Sequence, residues 1–342
     1  MSLIMAWSAF AACLLLILYS GTQLSRYGDL IAIRTGLGGA WIGFVLVAGV
    51  TSLPELVSGL SSVVLLDAPD LAIGGALGSC VFNLLIIVVL DFLHRPESIY
   101  TRLHQGHVLS GAFGIVLLGL IAGLLAFEQQ FPSLGLGRVG IYAPVGFIVY
   151  AVAARSVFFY EKRERAAHVL ERDEAIARQS PKLAALTARN IYFRYAGNAA
   201  AVVVAGIVLP AAADGIARGM GWQATFVGTF LMAFATSVPE MIISVQAVRI
   251  GAIEMAIGNL LGSNLFDLLI VSFDDLAWSS GSLLAAASGQ HVFTAITAMT
   301  MSGIVIVGLT YGQKHEFRRI GWASMTLLLM ALLNGLVLFL FR

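Results

Sequence analysis

The sequence predicts an all-α membrane protein, ten transmembrane helices arranged as two inverted-topology repeats of five and joined by a cytoplasmic loop. Three observations carry this fold class. The 342 residues are 59% hydrophobic and 11% charged, with a mean hydropathy of +0.90, more apolar than any water-soluble core requires. Apolar windows of about 20 residues, enough to cross a bilayer core of about 30 Å as a helix, recur along almost the whole chain. The chain is also duplicated. "AGVTSLPELV" at 48–57 returns as "AFATSVPEMI" at 233–242, and "APDLAIGGALGSCVFNLLI" at 68–86 returns as "AIEMAIGNLLGSNLFDLLI" at 252–270.

The windows place spans near residues 4–22, 38–64, 71–93, 107–126, 139–160, 195–213, 223–248, 253–273, 291–311 and 321–341. The opening "MSLIMAWSAFAACLLLILYS" has no basic n-region and reads as the first span, not a cleaved signal peptide. Cys13 and Cys80 fall in apolar segments and offer neither a disulfide framework nor a metal cluster. The organisation is then a first five-helix repeat at 1–160, a linker at 161–194 and a second, inverted repeat at 195–342. The linker, rich in both acidic and basic residues, reads as a solvated helical connection.

Net charge is +1, but its distribution is uneven. Seventeen of the 20 Lys and Arg residues fall in connections after odd-numbered spans, nine of them between Arg155 and Arg194; only Arg138, Arg218 and Arg342 fall on the other side. The positive-inside rule puts both termini outside and the linker in the cytoplasm of a multi-pass plasma-membrane protein.

The repeat offset is 185 residues at the first motif and 184 at the second, and it extends to Asp29/Asp214, Gly43/Gly228, Asp91/Asp275, Ser98/Ser282 and His107/His291. With five spans per half, an odd number, the second half enters the membrane in the opposite sense. Inverted repeats of this kind mark secondary transporters, with binding near the midplane at interrupted helices in matching positions.

The duplicated motif supplies those interruptions. Pro54 offers no N–H to the carbonyl of Val50, and Pro239 none to that of Ala235, so each helix should kink and free an oxygen. Thr51 and Glu55 are four residues apart, as are Thr236 and Glu240, Ser79 and Asn83, and Ser263 and Asp267, which puts each pair on one helix face. A charge at mid-membrane costs roughly 2.5–3.5 kcal/mol on insertion scales, so the matched carboxylates Glu55 and Glu240 call for a function. The inventory of carboxylate, amide, hydroxyl and carbonyl oxygens suits hard cations, above all Ca²⁺, and disfavours transition metals. Gly74/Gly78 and Gly258/Gly262 have the small-xxx-small spacing that brings helices close. Ser58, Ser62 and Ser244 read as structural, His107 and His291 as structural residues near span ends, and Asp91, Asp274 and Asp275 as boundary residues.

"TSLPE" followed by "GSCVFN", returning as "TSVPE" followed by "GSNLFD", resembles the paired alpha repeats of the sodium/calcium exchanger family, over residues 41–91 and 226–275. The resemblance implies ten helices, alternating access, and ion sites built from Thr51, Ser52, Glu55, Ser79 and Asn83 with Thr236, Ser237, Glu240, Ser263 and Asp267, and carbonyl ligands near Ala48 and Ala233. Two features depart from the family pattern: Val50 and Ala235 stand where Gly is common before the Thr, and Cys80 where Asn is common. They bear on ion preference more than on fold.

The expected activity is antiport of Ca²⁺ against Na⁺. An empty site would bury unpaired carboxylates, so the unloaded protein should resist switching sides while loaded forms switch. Three Na⁺ would neutralise Glu55, Glu240 and Asp267, whereas one Ca²⁺ balances two of them. A Ca²⁺/H⁺ antiporter using the same carboxylates is the alternative. No HExxH or GxSxG motif points to an enzyme. The expected partners are the transported ions and the lipid bilayer, with no cofactor and no nucleic acid.

Overall fold

The computed structural model describes residues 1–34, 51–94, 98–101, 105–131, 135–136, 139–164, 187–249, 251, 253–311 and 321–340. Gly43, Ala48, Val50, the first part of the expected second span and most of the linker lie outside the described residues. The described chain forms helices α1 (Leu3–Arg34), α2 (Leu53–Leu66), α3 (Pro69–Leu93), α4 (Gln105–Glu128) and α5 (Tyr142–Glu164), then α6 (Ala188–Met220), α7 (Ala224–Arg249), α8 (Ile253–Ala277), α9 (His291–Tyr311) and α10 (Trp322–Leu340). All but α2 are long and apolar enough to cross a membrane; α2 is a shorter apolar helix. The protein is an all-α multi-pass membrane protein. Among the described residues the departure from helix is a strand pair, Gly135–Leu136 against Val139–Gly140, between α4 and α5.

The packing shows the duplication directly. Helix α2 packs on α6 as α7 packs on α1, α3 on α7 as α8 on α2, α3 on α9 as α8 on α4, and α3 on α10 as α8 on α5. Adding five to each label maps one contact onto its mate. The contacts that map onto themselves, α1 with α6, α3 with α8 and α4 with α9, cluster about a single two-fold relation between the repeats.

Close approach at these contacts relies on small residues. Gly21 of α1 faces Pro239 of α7, where an added Cβ would lie 2.7 Å from the ring, and its counterpart Gly206 of α6 faces Val57 and the Pro54 carbonyl of α2. Gly74 and Gly78 of α3 lie against α7 so tightly that a Cβ on Gly78 would come within 2.7 Å of the Ala233 Cβ. The small-xxx-small spacing read from the sequence therefore does bring α3 onto α7.

Burial identifies the centre. In α3 and α8, 78% of span residues are buried, against 28% in α1. The outer helices turn Leu, Val and Phe outward, as a lipid-facing surface requires: Leu15, Ile148, Val204 and Leu329 are all largely exposed.

The two copies of the proline motif differ. Thr51 is helical, Ser52 leaves the helix with φ −90° and ψ 17°, and α2 begins at Leu53 with Pro54 in its first turn, where a missing N–H is harmless. In α7 the α-helix runs through Pro239 from Ala233 to Arg249, and the irregular stretch is a π-helical turn one step earlier, at Gly228–Met232. The interruption expected at Pro239 thus lies upstream of it. Such π turns cluster at functional positions.

Candidate functional site

Helices α2, α3, α7 and α8 meet at the centre, each carrying one of the polar faces set by four-residue spacing. On the two-fold relation itself, residues of α3 meet their own duplicates on α8. The Asn83 amide donates to Asp267 at 3.3 Å. One step along, the Cys80 thiol points at the Asn264 carbonyl at 3.8 Å and the Asn264 amide donates to the Cys80 carbonyl at 3.4 Å. To one side, the Thr51 hydroxyl lies 3.4 Å from that of Ser263.

The carboxylates face the opposite repeat. Thr236 and Ser237 of α7 lie against Glu55, and Thr51 lies against Glu240. Glu240 is within electrostatic range of both Glu55 and Asp267, and Asp267 of Glu55. Thr236 donates to the carbonyls of Met232 and Ala233, at 3.1 and 3.3 Å, which ties the motif hydroxyl to the last residue of the π turn.

All ten side chains singled out in the sequence, Thr51, Ser52, Glu55, Ser79, Asn83, Thr236, Ser237, Glu240, Ser263 and Asp267, are at most 5% exposed. Eight of their atoms have no hydrogen-bond partner: the hydroxyls of Ser52, Ser79 and Ser237, one oxygen of Glu55, both of Glu240, and one each of Asn83 and Asp267. A buried polar group without a partner costs about 1–3 kcal/mol, more when charged. So many orphaned oxygens in one place form an acceptor-rich cluster of the kind that suits a hard cation. Among the described residues no three His, Cys, Asp or Glu side chains close on one metal position by themselves, so neutral oxygens have to complete any coordination shell. Ala233 is fully buried at the head of this segment, and Ala48 lies outside the described residues.

Other residues prove to hold the repeats together. His107 pairs with Glu254 at 2.5 Å and His291 with Asp70 at 3.1 Å. The acids are duplicates of each other under the same 184-residue offset as the histidines, so each repeat lends a histidine to the other's acid. That offset was the signal that could have found them. Asp91 accepts from the Ile99 amide at 3.0 Å and from Ser98 and Ser324, and Asp275 accepts from the Leu283 amide at 2.7 Å and from Gly140. Near span ends, as expected, both are nevertheless fully buried and hold connecting segments in place. Ser58 and Ser62 bond carbonyls one turn back on α2, a structural use.

An inverted repeat of membrane helices with a buried, oxygen-lined centre defines a secondary transporter of cations. Residues 5–157 and 195–341 match the sodium/calcium exchanger protein family, and the chain belongs to it. It is 28% identical to the inner membrane protein YrbG of Escherichia coli (strain K12) over 277 residues, covering 79% of this chain and 78% of that protein. Its fold is similar to the crystal structure of the H⁺/Ca²⁺ exchanger CAX, with TM-score 0.69 and 13% identity over 98% of this chain and 86% of that one. It is likewise similar to the sodium-calcium exchanger NCX_Mj, with TM-score 0.59 and 19% identity over 97% of both chains.

Proposed function

We propose that the protein is a secondary antiporter that exchanges Ca²⁺ for Na⁺ across the membrane by alternating access. The observation that carries this reading is the ring of orphaned oxygens on Glu55, Glu240, Asp267 and their neighbours, drawn from both repeats and buried at the junction of α2, α3, α7 and α8. Family membership supports cation/Ca²⁺ exchange, and the donor set supports a hard divalent ion competing with Na⁺ for the same atoms.

In this reading Glu55 and Glu240 bind Ca²⁺ directly, and Thr51, Ser52, Ser79, Asn83, Thr236, Ser237 and Ser263 supply neutral oxygens. Asp267 supplies the third negative charge, which three Na⁺ balance and one Ca²⁺ does not. The carbonyls of Ala48 and Ala233 are further ligands. Ca²⁺ and Na⁺ are cargo, no cofactor takes part, and the chain performs transport rather than covalent chemistry. The linker at 161–194 lies in the cytoplasm between the repeats, and both termini lie outside.

Na⁺-loaded vesicles holding the protein, diluted into Na⁺-free medium with pH clamped, should take up Ca²⁺ and stop when the Na⁺ gradient is dissipated. Uptake that follows only a pH gradient would establish the Ca²⁺/H⁺ alternative, for which the crowding of three carboxylates makes a proton the competing counter-ion.

A further inference from the structure

The polar seam between α2 and α8 does not end at the site. From the Thr51–Ser263 contact it passes Glu55 and Asp267 and runs on to Asp274, seven residues beyond Asp267, on the same face of α8 and about 10 Å further along the axis. Asp274 is 0% exposed, and neither of its carboxylate oxygens has a hydrogen-bond partner. It lies in a notch made by Gly59 of α2, where an added Cβ would fall 2.5 and 2.9 Å from the two oxygens. Gly59 is one turn beyond Glu55, so the carboxylate and the notch continue the two polar faces in register.

Neighbouring Asp275 differs. Backbone amides of Gly140 and Leu283 occupy its oxygens, so it holds the chain in place, and its duplicate Asp91 does the same work in the first repeat. Asp274 has no such duties, and its duplicate is Leu90. The seam therefore continues past the centre in one half of the molecule only.

The groups facing this end of α8 are few. Asp275 on α8 itself acts on Asp274, and Glu128, at the end of α4, bonds the Ser282 hydroxyl nearby. From α5 comes Tyr142, whose hydroxyl donates to the Leu268 carbonyl. From α2 come Glu55 and the self-satisfied hydroxyls of Ser58 and Ser62. No cationic side chain is among the described groups that act on Asp274, and a bare carboxylate in such a place is heavily penalised.

We infer that Asp274, in the Gly59 notch, is a separate monovalent-cation position, holding Na⁺ or H⁺ on the α2/α8 side of the central site, through which the coupling ion enters or leaves. The inference rests on the exchanger reading above. It assigns the two halves of the ion path different chemistry, with a carboxylate stop on one side and a leucine on the other.

The test uses the full chain purified as wild type, Asp274→Asn and Asp274→Leu, the last matching Leu90. Infrared difference spectra should show a wild-type carboxyl band, absent from both variants, that changes on adding Na⁺ at fixed pH if the ion is Na⁺, or only on changing pH if it is H⁺. In proteoliposomes the variants should need about tenfold more of that coupling ion for half-maximal Ca²⁺ exchange. Ca²⁺ affinity by calorimetry should fall far less than in Glu55→Gln, because at about 10 Å a charge acts less than half as strongly as at about 4 Å. Wild-type and Asp274→Asn spectra that superimpose in both titrations would overturn the inference, as would a loss of Ca²⁺ affinity in both variants as deep as in Glu55→Gln. The infrared measurement needs no Ca²⁺, so a wild type without Ca²⁺ flux would count against the exchanger reading alone, and the spectra would still decide whether Asp274 takes up an ion.

Discussion

The side-chain amide of Asn83 donates to the carboxylate of Asp267 across 3.3 Å, and the two residues are the same position of the duplicated sequence, 184 residues apart. The repeats thus meet face to face at the one site position where their chemistry differs, amide in one and acid in the other. Every other site residue has a duplicate of the same or nearly the same type.

The two positions should be exchangeable. Asn83→Asp alone would set two carboxylates side by side, a repulsion of roughly 4 kcal/mol at 4 Å and an effective dielectric near 20. Adding Asp267→Asn restores one acid and one amide in mirrored places. The double variant should recover most of the melting midpoint and Na⁺-driven Ca²⁺ flux that Asn83→Asp loses. A double variant as impaired as that single one would mean the two positions are not equivalent.

Glu55→Gln and Glu240→Gln keep shape and remove one charge from the proposed Ca²⁺ site. Each should lower Ca²⁺ affinity about a thousandfold, the equivalent of roughly 4 kcal/mol, whereas Asp267→Asn should leave measurable Ca²⁺ binding and chiefly impair Na⁺ coupling. Calorimetry beside flux decides this, and near-normal Ca²⁺ affinity in either Gln variant would put the calcium site elsewhere.

The two histidine pairs should differ in strength. His291 has a fully buried side chain, while His107 is 10% and its partner Glu254 41% exposed. Removing a buried partner costs about 1–3 kcal/mol, and an exposed one less. His291→Ala should therefore lower the thermal midpoint in detergent clearly more than His107→Ala does; the reverse order would contradict the burial argument.

Gly78→Ala should weaken the protein by about 1–3 kcal/mol, because its Cβ would meet Ala233 and the Thr229 carbonyl and push α3 off the π turn. Gly114 of α4 has nothing within 4 Å of a built Cβ, and Gly114→Ala is the control, expected to be neutral or stabilising. Equal thermal midpoints for the two would remove close packing as the reason for Gly78.

Orientation can be read from the two ends of α6. In a background lacking Cys13 and Cys80, which are both free and buried, single cysteines at the exposed Arg189 and Met220 should react with membrane-impermeant reagents from opposite sides. Met220→Cys should label in intact cells and Arg189→Cys only in inverted vesicles. The opposite pattern would invert the orientation drawn from the Lys and Arg distribution.

Most of the architecture was legible because lipid imposes it: α3, α8 and α9 begin and end within about four residues of their apolar windows. Helices α1 and α6 run well past theirs, to Arg34 and from Ala188. Their polar ends stop the hydropathy signal but not the helix, since Arg26 bonds Gln246 at 3.0 Å and Arg194 bonds Tyr27 at 3.3 Å. The buried polar cluster was legible because carboxylates and hydroxyls recur at fixed spacing in both repeats. The π turn at Gly228–Met232 was not, because it follows from how α7 accommodates α3 and leaves no pattern in residue types. Asp91, Asp274 and Asp275 looked alike near span ends. Only their partners separate two clasps from one unsatisfied acid.

The crossed histidine–acid pairs, the Asn83–Asp267 bond and the α1–α6 contact all join the first half of the chain to the second. Neither half alone can bury its α3 or α8 surface, so the molecule resembles an obligate heterodimer whose subunits are tied end to end, and its halves are expected to lack independent stability. Two separately translated fragments, divided anywhere within residues 165–186, should therefore be degraded when made singly and assemble into a working complex when made together.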